Sequence, residues 1–332
     1  MESSIVFGAF QFDRKGQTNQ RQLLEVCEKN GIREVDSGVI YEGCEELLSS
    51  LDAPGRFVVH GKASPGRNSK PEVLESAFRS MEDLGFPQDG STKFDIYYLH
   101  APNPSVPMED SYEAIQELYQ SGCFKRFGLS NFVADDVQRF HDYGKSKGYV
   151  LPTVYQGFYN AVCRRGEAEL LPTLRRLGMT FYCYSPLGAT YFMVRPDAIK
   201  DGKGRFDNAD VDGLVYQTLF NQPGYLAALD SWHHLAKQCQ LQELELAWRW
   251  INFHSSLRFQ DGDKIITSAE NAEQLQQLFT WRAKGPLESW VVDGINEIWE
   301  SCRGEAPLDC VNGWFEAVAL GRVVPPSHMQ YK

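Results

Sequence analysis

The chain has 332 residues, of which 42% are hydrophobic and 13% aromatic, so it is long enough to bury a sizeable core. Its net charge is −11 and it contains no block of lysines or arginines, which argues against nucleic-acid binding. No apolar run approaches the about 20 residues that a membrane-spanning helix needs. The N-terminus lacks a charged segment followed by an apolar one, so no signal peptide and a cytoplasmic location are expected.

Eight cysteines are scattered along the chain without a CxxC pair and without the spacing of a metal site. Several of them lie in apolar runs, where a cysteine behaves as a small hydrophobic residue. The sequence therefore predicts reduced, mostly buried thiols and no bound metal.

Eight short segments have the apolar composition of buried strands, because they are rich in β-branched and aromatic residues. In chain order they are Ser4–Phe10, Glu34–Asp36, Arg56–Lys62, Phe94–His100, Phe124–Ser130, Thr153–Phe158, Thr180–Ser185 and Lys264–Thr267.

Segments with apolar residues at helical spacing alternate with most of these strands. They are Asn19–Asn30, Glu45–Leu51, Lys70–Leu84, Met108–Ser121, Ala134–Lys147, Glu167–Leu177, Pro223–Gln238, Gln242–Asn252, Asn271–Phe279 and Leu287–Cys302. A doubly wound sheet would fit part of this α/β pattern, but eight units favour a closed (β/α)8 TIM barrel. We predict a single domain over residues 1–332, with an inserted loop near 189–222 and a C-terminal tail near 312–332.

Polar residues interrupt the apolar pattern at the carboxyl end of nearly every predicted strand. Asp36 ends the second strand and Tyr41 lies just beyond it, while Lys62 and His100 end the third and fourth strands. Because the carboxyl ends of barrel strands form the functional face, these four side chains are candidates for one acid/base site. Each of them taken alone also has an ordinary structural explanation.

Nine sequence pieces, which run in order over nearly the whole chain, match one known pattern. They are Glu34–Ser37 with Tyr41, Gly61–Ala63, Tyr98–His100, Gly128–Phe132, Leu151–Asn160, Tyr184–Leu187, Gly204–Phe206, Glu273–Leu275 and Gly285–Glu288. With these pieces the chain resembles the aldo-keto reductase superfamily, and within it most closely the aflatoxin aldehyde reductase subfamily. The resemblance implies a (β/α)8 barrel and the NADPH-dependent reduction of an aldehyde or ketone to an alcohol by hydride transfer.

The same resemblance implies a catalytic tetrad of Asp36, Tyr41, Lys62 and His100. Hydride addition builds charge on the carbonyl oxygen, so a proton donor and an electrophilic stabiliser must lie beside that oxygen. Tyr41 would donate the proton, and Lys62 would lower the phenol pKa from its ordinary value of about 10. Asp36 would keep Lys62 charged, and His100 would hydrogen-bond the substrate oxygen.

A nicotinamide cofactor site is also implied by the resemblance. Tyr184 would stack on the nicotinamide ring. Three residues would bind its carboxamide, namely Ser130, Asn131 and Gln156. The pyrophosphate would lie along the backbone of Ser185, Leu187 and Gly188. The other cofactor candidates are Arg195, Ser268, Glu270 and Gln274.

The loop after the last strand departs from the family pattern. Glu270 stands where relatives carry a hydroxyl for the adenosine 2′-phosphate, and Leu278 stands where an asparagine often meets the adenine. A carboxylate repels a phosphate, but it accepts hydrogen bonds from a ribose hydroxyl in NAD sites. NADPH remains the expected cofactor, because Arg195 or Arg282 could compensate, and NADH is the alternative.

The loop after Leu187 is bulkier and more apolar than in the family. Tyr191 and Phe192, together with Phe10, Phe158, Trp314 and Phe315, could wall a hydrophobic pocket, with ordinary core packing as the equal alternative. Arg164 and Arg205 could bind a substrate carboxylate or steady a loop. The changed loops favour a specialised aromatic or polycyclic carbonyl substrate. A role in secondary metabolism is compatible with such a substrate, but no residue indicates it.

Two other functions remain open from the sequence. One is a non-redox lyase or cyclase in which Tyr41 and His100 act as acid and base. The other is a cofactor-binding regulatory subunit with little turnover. In every case we expect a small-molecule partner, no nucleic acid or membrane, and a monomer or homodimer.

Overall fold

The structure, a computed structural model, describes residues 3–10, 12, 17–87, 91, 93–207, 209 and 211–321, without the side chains of 17, 18, 211 and 212. Its eight strands are parallel and close into a barrel in sequence order, which confirms the predicted (β/α)8 fold. The strands are β1 (Ile5–Gly8), β2 (Glu34–Asp36), β3 (Val58–Lys62), β4 (Phe94–Leu99), β5 (Phe124–Ser130), β6 (Pro152–Phe158), β7 (Thr180–Tyr184) and β8 (Lys264–Thr267).

Fifteen α-helices lie within the described residues, and most of them follow the predicted helical segments. They are α1 (Gln17–Lys29), α2 (Cys44–Ser50), α3 (Ala53–Arg56), α4 (Lys70–Asp83), α5 (Met108–Gln120), α6 (Ala134–Lys147), α7 (Gly166–Glu169), α8 (Leu171–Arg176), α9 (Pro196–Lys200), α10 (Val211–Phe220), α11 (Pro223–Gln238), α12 (Glu243–Phe253), α13 (Ala272–Ala283), α14 (Ser289–Cys302) and α15 (Cys310–Ala319). None of these helices is long and apolar enough to cross a membrane.

The strands are apolar because the surrounding helices cover their outer face and side chains fill the barrel interior, so little strand surface is exposed to water. β4 shows this, since Tyr97 and Tyr98 are both fully buried. Neighbouring strands share a register in which Asp36 pairs with His60 and Lys62 pairs with Tyr98. The carboxyl ends of β2, β3 and β4 therefore lie side by side.

The chain folds into two compact units. The first, which we call the barrel unit, comprises Met1–Gly157, Pro172–Cys183 and Arg258–Phe279, and it contains the strands except Phe158 and Tyr184. The second unit comprises Phe158–Leu171, Tyr184–Leu257 and Thr280–Lys332. The interpretation of the whole chain as one domain stays a prediction.

The predicted inserted loop at 189–222 is largely helical. α9 and α10 lie within it, together with 3-10 turns at Gly188–Met193 and Gly204–Phe206. Asp and Gly are frequent between residues 197 and 212, and such residues are typical of loops. The sequence therefore did not predict the short helices of this stretch. The side chains of Leu219 and Phe220 at the end of α10 are buried, so packing stabilises what local composition does not.

Two further boundaries differ from the sequence prediction. The predicted third strand starts at Arg56, but this residue ends α3, and β3 begins at Val58. The predicted tail at 312–332 begins with α15, whose N-terminus is capped by Asp309 accepting from the Asn312 amide at 2.7 Å. Residues 322–332 of that prediction lie outside the described residues.

The buried carboxylate of Asp263, just before β8, accepts hydrogen bonds from α8, from β7 and from the segment that begins at Arg258. It accepts two hydrogen bonds from the Arg175 guanidinium, at 2.8 and 2.5 Å. It also accepts from the backbone amides of Phe181 at 2.8 Å and Arg258 at 2.7 Å. Four hydrogen bonds depend on one side chain, so its loss would leave buried groups without partners.

We expect Asp263→Ala to lower the free energy of unfolding by about 3–5 kcal/mol, because a buried charge loses its partner. Urea unfolding followed by circular dichroism measures this loss. The matched control is Asp261→Ala, since Asp261 is half exposed and lies 3.9 Å from Arg258, and we expect it to stay within about 0.5 kcal/mol of wild type. Equal effects of the two substitutions would contradict the role given to Asp263.

Candidate active site

Four polar side chains meet beside the carboxyl ends of β2, β3 and β4. Asp36 and Lys62 are the last residues of β2 and β3, and His100 directly follows β4. Tyr41 comes from the turn before α2, where its amide donates to the carbonyl of Gly38 at 2.8 Å. The shared strand register brings residues that are up to 64 positions apart (100 − 36) into one cluster.

Lys62 lies at the centre of this cluster, with no exposed side-chain surface. Its Nζ donates to Asp36 Oδ2 at 2.6 Å, to the carbonyl of Ser37 at 2.6 Å and to Tyr41 Oη at 3.1 Å. Three acceptors match the three ammonium protons, which is what a buried charge requires. Because burial opposes charge, Lys62 would lose its proton without them, but Asp36 and Tyr41 outweigh burial and the pKa of Lys62 is raised.

The pKa of Tyr41 is raised overall, although Lys62 acts to lower it, as the sequence predicts. Burial disfavours the phenolate and is the largest cause, while the Lys62 ammonium opposes it and the Asp36 carboxylate adds to it. The sequence identified the lysine but not the depth of the site, so the desolvation of the phenol was missed. Tyr41 is consequently a protonated phenol at neutral pH, with a cation placed to receive the charge if the proton leaves.

His100 faces the same phenol from the end of β4. The rings of His100 and Tyr41 lie 6.2 Å apart in an edge-on arrangement. Burial, assisted by the nearby Lys62 charge, lowers the pKa of His100 from 6.5 to about 3. The imidazole is therefore neutral over the physiological pH range and can act as a neutral hydrogen-bonding group.

The carboxamide candidates lie at the neighbouring strand ends, and Gln156 and Asn131 among them hydrogen-bond residues of the tetrad. Gln156 Nε2 donates to Asp36 Oδ1 at 2.8 Å, which the sequence did not predict. Asn131 Nδ2 donates to the His100 carbonyl at 2.8 Å and to Ser130 Oγ at 3.1 Å. Asn131 has a positive φ of 63°, which asparagine tolerates better than most residues and which turns the chain after β5.

The candidates for the adenosine side of the cofactor lie in the loop from β8 to α13 and in α13 itself. Glu270 and Ser268 are exposed, and the Glu270 amide donates to Gln274 Oε1 at 3.0 Å. The Glu270 carbonyl accepts from Asn19 Nδ2 at 2.8 Å, so α1 holds this loop in place. Leu278 in α13 is buried.

Five cofactor candidates lie in the second unit, at and after the end of β7. Tyr184 packs against Phe158, with ring centroids 5.5 Å apart. Ser185 has a positive φ of 52° and its carbonyl accepts from Asn160 Nδ2 at 3.2 Å. Farther on, Arg195 is exposed and lies 3.4 Å from the ring Nδ1 of a histidine in α11. The remaining two are Leu187 and Gly188.

Tyr191 and Phe192, both candidates for a substrate pocket, are core residues of the second unit. Both are fully buried. The Tyr191 hydroxyl donates to the Tyr225 carbonyl, and the Phe192 ring lies 4.3 Å from that of Trp232. Their burial matches the alternative of ordinary core packing.

Both candidate arginines also have protein partners. Arg164 pairs with Glu167 at 3.1 Å, donates to Asn296 at 2.9 Å and lies 5.0 Å above the Trp250 ring. Arg205 lies 5.5 Å above the ring of a tyrosine in α10. Loop and helix packing, the second role considered for them, accounts for these contacts.

Phe10 differs from these residues because it touches the tetrad. It is half-buried, and its ring lies 5.2 Å from that of Tyr41 in an edge-on arrangement. The barrel unit therefore brings together the tetrad, the three carboxamide candidates and one aromatic substrate candidate. Within the described part of the chain, no group of His, Cys, Asp or Glu side chains is arranged to hold a metal ion, and all eight cysteines are free thiols.

Comparison with known proteins places this chain in a family. A sequence model of the aldo/keto reductase family matches residues 4–300, and the chain belongs to that family. It is 35% identical over 319 residues to the oxidoreductase sirO of Leptosphaeria maculans, covering 91% of this chain and 95% of that protein. It is 32% identical over 286 residues to an aldo-keto reductase of Pseudocercospora fijiensis, with 83% and 96% covered.

A human relative is similar to the same degree. The chain is 32% identical over 304 residues to the human aflatoxin B1 aldehyde reductase member 4, covering 84% of this chain and 88% of that protein. These matches confirm the family resemblance. The chain is an oxidoreductase, and its family is one that reduces carbonyl compounds and generally uses a nicotinamide cofactor.

We expect the imidazole of His100 to stay neutral from about pH 9 down to about pH 5, because its pKa lies near 3. Because the pKa is lowered in the folded protein, the unfolded chain binds a proton at this residue more tightly than the folded protein does. His100 therefore lowers the free energy of unfolding as the pH falls below 6.5. The imidazole signals in an NMR pH titration measure this, with His100→Gln for the assignment. A pKa near 6.5 for the assigned imidazole would show that neither burial nor the Lys62 charge acts on His100.

Proposed function

We propose that this member of the aldo/keto reductase family reduces an aldehyde or ketone to an alcohol with NADPH, and that Tyr41 donates the proton. The observation that carries the proposal is the buried Lys62 ammonium, which contacts both Asp36 and the Tyr41 hydroxyl. An ammonium ion placed against a phenol stabilises the phenolate that forms when the proton is transferred.

The residues around the tetrad suit a nicotinamide. The carboxamide of that ring needs hydrogen-bond donors and acceptors, and Ser130, Asn131 and Gln156 supply a hydroxyl and two amides at adjoining strand ends. All three are almost fully buried, which favours well-formed hydrogen bonds. Tyr184, at the end of β7 and in the second unit, is the residue proposed to stack on the nicotinamide ring. When bound, the cofactor supplies the hydride.

The chain itself supplies the proton and the stabilisation of charge. Tyr41 Oη gives its proton to the carbonyl oxygen as negative charge develops there, and the resulting phenolate pairs with Lys62. His100, which is neutral, hydrogen-bonds the same oxygen. Asp36 holds Lys62 and is held in turn by Gln156, so the ammonium is fixed before the reaction begins.

An aromatic or polycyclic carbonyl compound is our proposed substrate class, and secondary metabolism is the proposed role. Phe10 supports the first part, because it places an apolar ring edge-on to Tyr41. Similarity to the human aflatoxin B1 aldehyde reductase member 4 supports the same class. The relatives from Leptosphaeria maculans and Pseudocercospora fijiensis support a fungal context for the role.

We expect Tyr41→Phe to lower kcat by at least about 100-fold, because the variant has no proton to donate. Cofactor binding should change little, since the ring itself is kept. Steady-state reduction of an aldehyde and ketone panel measures kcat, and quenching of tryptophan fluorescence by NADPH measures binding. Tyr119→Phe is the matched control, because Tyr119 is an exposed tyrosine on α5.

Full turnover by Tyr41→Phe would contradict the proposal. Turnover of a substrate by the wild type without any cofactor would instead support a lyase or cyclase. Tight cofactor binding without turnover of any carbonyl in the panel would support a regulatory subunit.

We expect Glu270→Ser to raise the ratio of NADPH to NADH affinity at least about fivefold, because a carboxylate repels the 2′-phosphate. Glu270 is exposed on the loop before α13, so the substitution should not disturb the core. Fluorescence titrations with both cofactors measure the ratio. Glu82→Ser removes the same charge from an exposed site on α4 and serves as the control. An unchanged ratio in Glu270→Ser would show that this carboxylate does not face the phosphate.

A further inference from the structure

The buried carboxyl of Glu45 is linked to the tetrad through Ser37 and has no role in the proposed reduction. Glu45 is in the first turn of α2 and is 2% exposed. Its Oε1 accepts from Ser37 Oγ at 3.0 Å and from Ser80 Oγ at 2.7 Å. Its Oε2 is buried without a hydrogen-bond partner. With only two neutral hydrogen-bond donors, this carboxyl is costly to bury in its ionised form.

Ser37 connects this carboxyl to the catalytic ammonium. Its side chain donates to Glu45, and its backbone carbonyl accepts from Lys62 Nζ at 2.6 Å. Its amide is fixed as well, donating to the His60 carbonyl at 2.9 Å. A single residue therefore holds Lys62 on one side and Glu45 on the other, and a shift of its backbone would move one of the three acceptors of Lys62.

The groups that face Glu45 determine its charge. Ser80 and Asp83 approach it from α4, Lys62 from β3, Tyr97 from β4 and Ser37 from the loop after β2. Burial is the largest influence and raises the pKa of Glu45 from 4.5 to about 7, with the two serine hydroxyls opposing it. Asp83 raises it further and Lys62 lowers it, so Glu45 and Lys62 sense each other's charge.

We infer that Glu45 is a positioning residue for the proposed reduction, holding Ser37 and through it Lys62, and that its charge tunes proton donation by Tyr41. This inference rests on the proposed role of Tyr41. When Glu45 is neutral, the Lys62 ammonium acts on the phenol with less opposing charge, and the phenolate is easier to form. When Glu45 is ionised, its negative charge offsets part of the Lys62 field and the proton is held more tightly.

The sign of the pH effect follows from this arrangement. As the pH rises through about 7, Glu45 ionises. We expect kcat for carbonyl reduction to fall by about 3- to 10-fold over that range, a change of roughly half to one pKa unit in the donor. Glu45→Gln mimics the neutral form, so it should keep the low-pH rate with no step near pH 7.

The experiment compares pH profiles of kcat and kcat/KM for the wild type, Glu45→Gln, Glu45→Ala and the control Glu46→Gln. Glu46 is the exposed neighbour in α2 and undergoes the same charge change. Glu45→Ala loses both serine contacts, and we expect kcat to fall by about 10- to 100-fold with the cofactor KM unchanged. Rescue of that loss by glutamine separates positioning from charge. If Glu45→Ala does not fold, Ser37→Ala is used in its place, because it removes the same hydrogen bond between Ser37 and Glu45.

A second measurement is independent of catalysis. The folded protein binds the Glu45 proton more tightly than the unfolded chain, whose glutamate has a pKa near 4.5. Wild-type stability should therefore fall relative to Glu45→Gln as the pH rises from 4.5 to about 7, and should level off above that pH. Thermal unfolding of both proteins across this range shows whether Glu45 titrates there.

Each outcome decides one of the two proposals. An inactive Tyr41→Phe together with a wild-type pH step in Glu45→Gln would overturn the role of Glu45 and leave the proposed function intact. Full activity in Tyr41→Phe would overturn the proposed function, whatever Glu45 does. Identical stability profiles for wild type and Glu45→Gln would show that the carboxyl does not titrate near neutrality and would overturn its role in tuning.

Discussion

The candidate site depends on the ammonium of Lys62, which three acceptors hold out of water. A buried lysine without partners would give up its proton, and the site would then lose the cation that stabilises a phenolate. Asp36, Ser37 and Tyr41 together keep it charged. Two of these acceptors belong to β2 and the loop after it, so the pairing of β2 with β3 and the charge of Lys62 support each other.

The residues that accept from Lys62 are fixed by further hydrogen bonds, so the positions of the side chains in the cluster are constrained. Gln156 fixes the second oxygen of Asp36, and Glu45 fixes the hydroxyl of Ser37. Such outer contacts determine whether reacting groups stand within the few tenths of an ångström that proton transfer requires. They also couple the site to pH, because a buried carboxyl with neutral partners titrates far from its ordinary range.

The periphery of the site differs in character from its centre. Asp36, Lys62 and Gln156 are buried and joined by hydrogen bonds, whereas Glu270 is exposed and its loop is held through backbone groups. Tyr191 and Phe192 are fully buried core residues of the second unit. Phe10 is then the aromatic substrate candidate with a direct contact to the proposed proton donor.

The family resemblance supplied the assignment of Asp36, Tyr41, Lys62 and His100 as a tetrad. Local features of the sequence were enough to predict the barrel and its polar strand ends, because strand composition and helix periodicity are read over short stretches. They did not predict α10 and α15, whose residues gain their helical preference from packing rather than from composition. Contacts between distant positions, such as Gln156 on Asp36 across 120 residues, arise from the three-dimensional packing of the strands. The pKa of Tyr41 has the same origin, since the balance between desolvation and the Lys62 charge depends on burial depth, which no local pattern records.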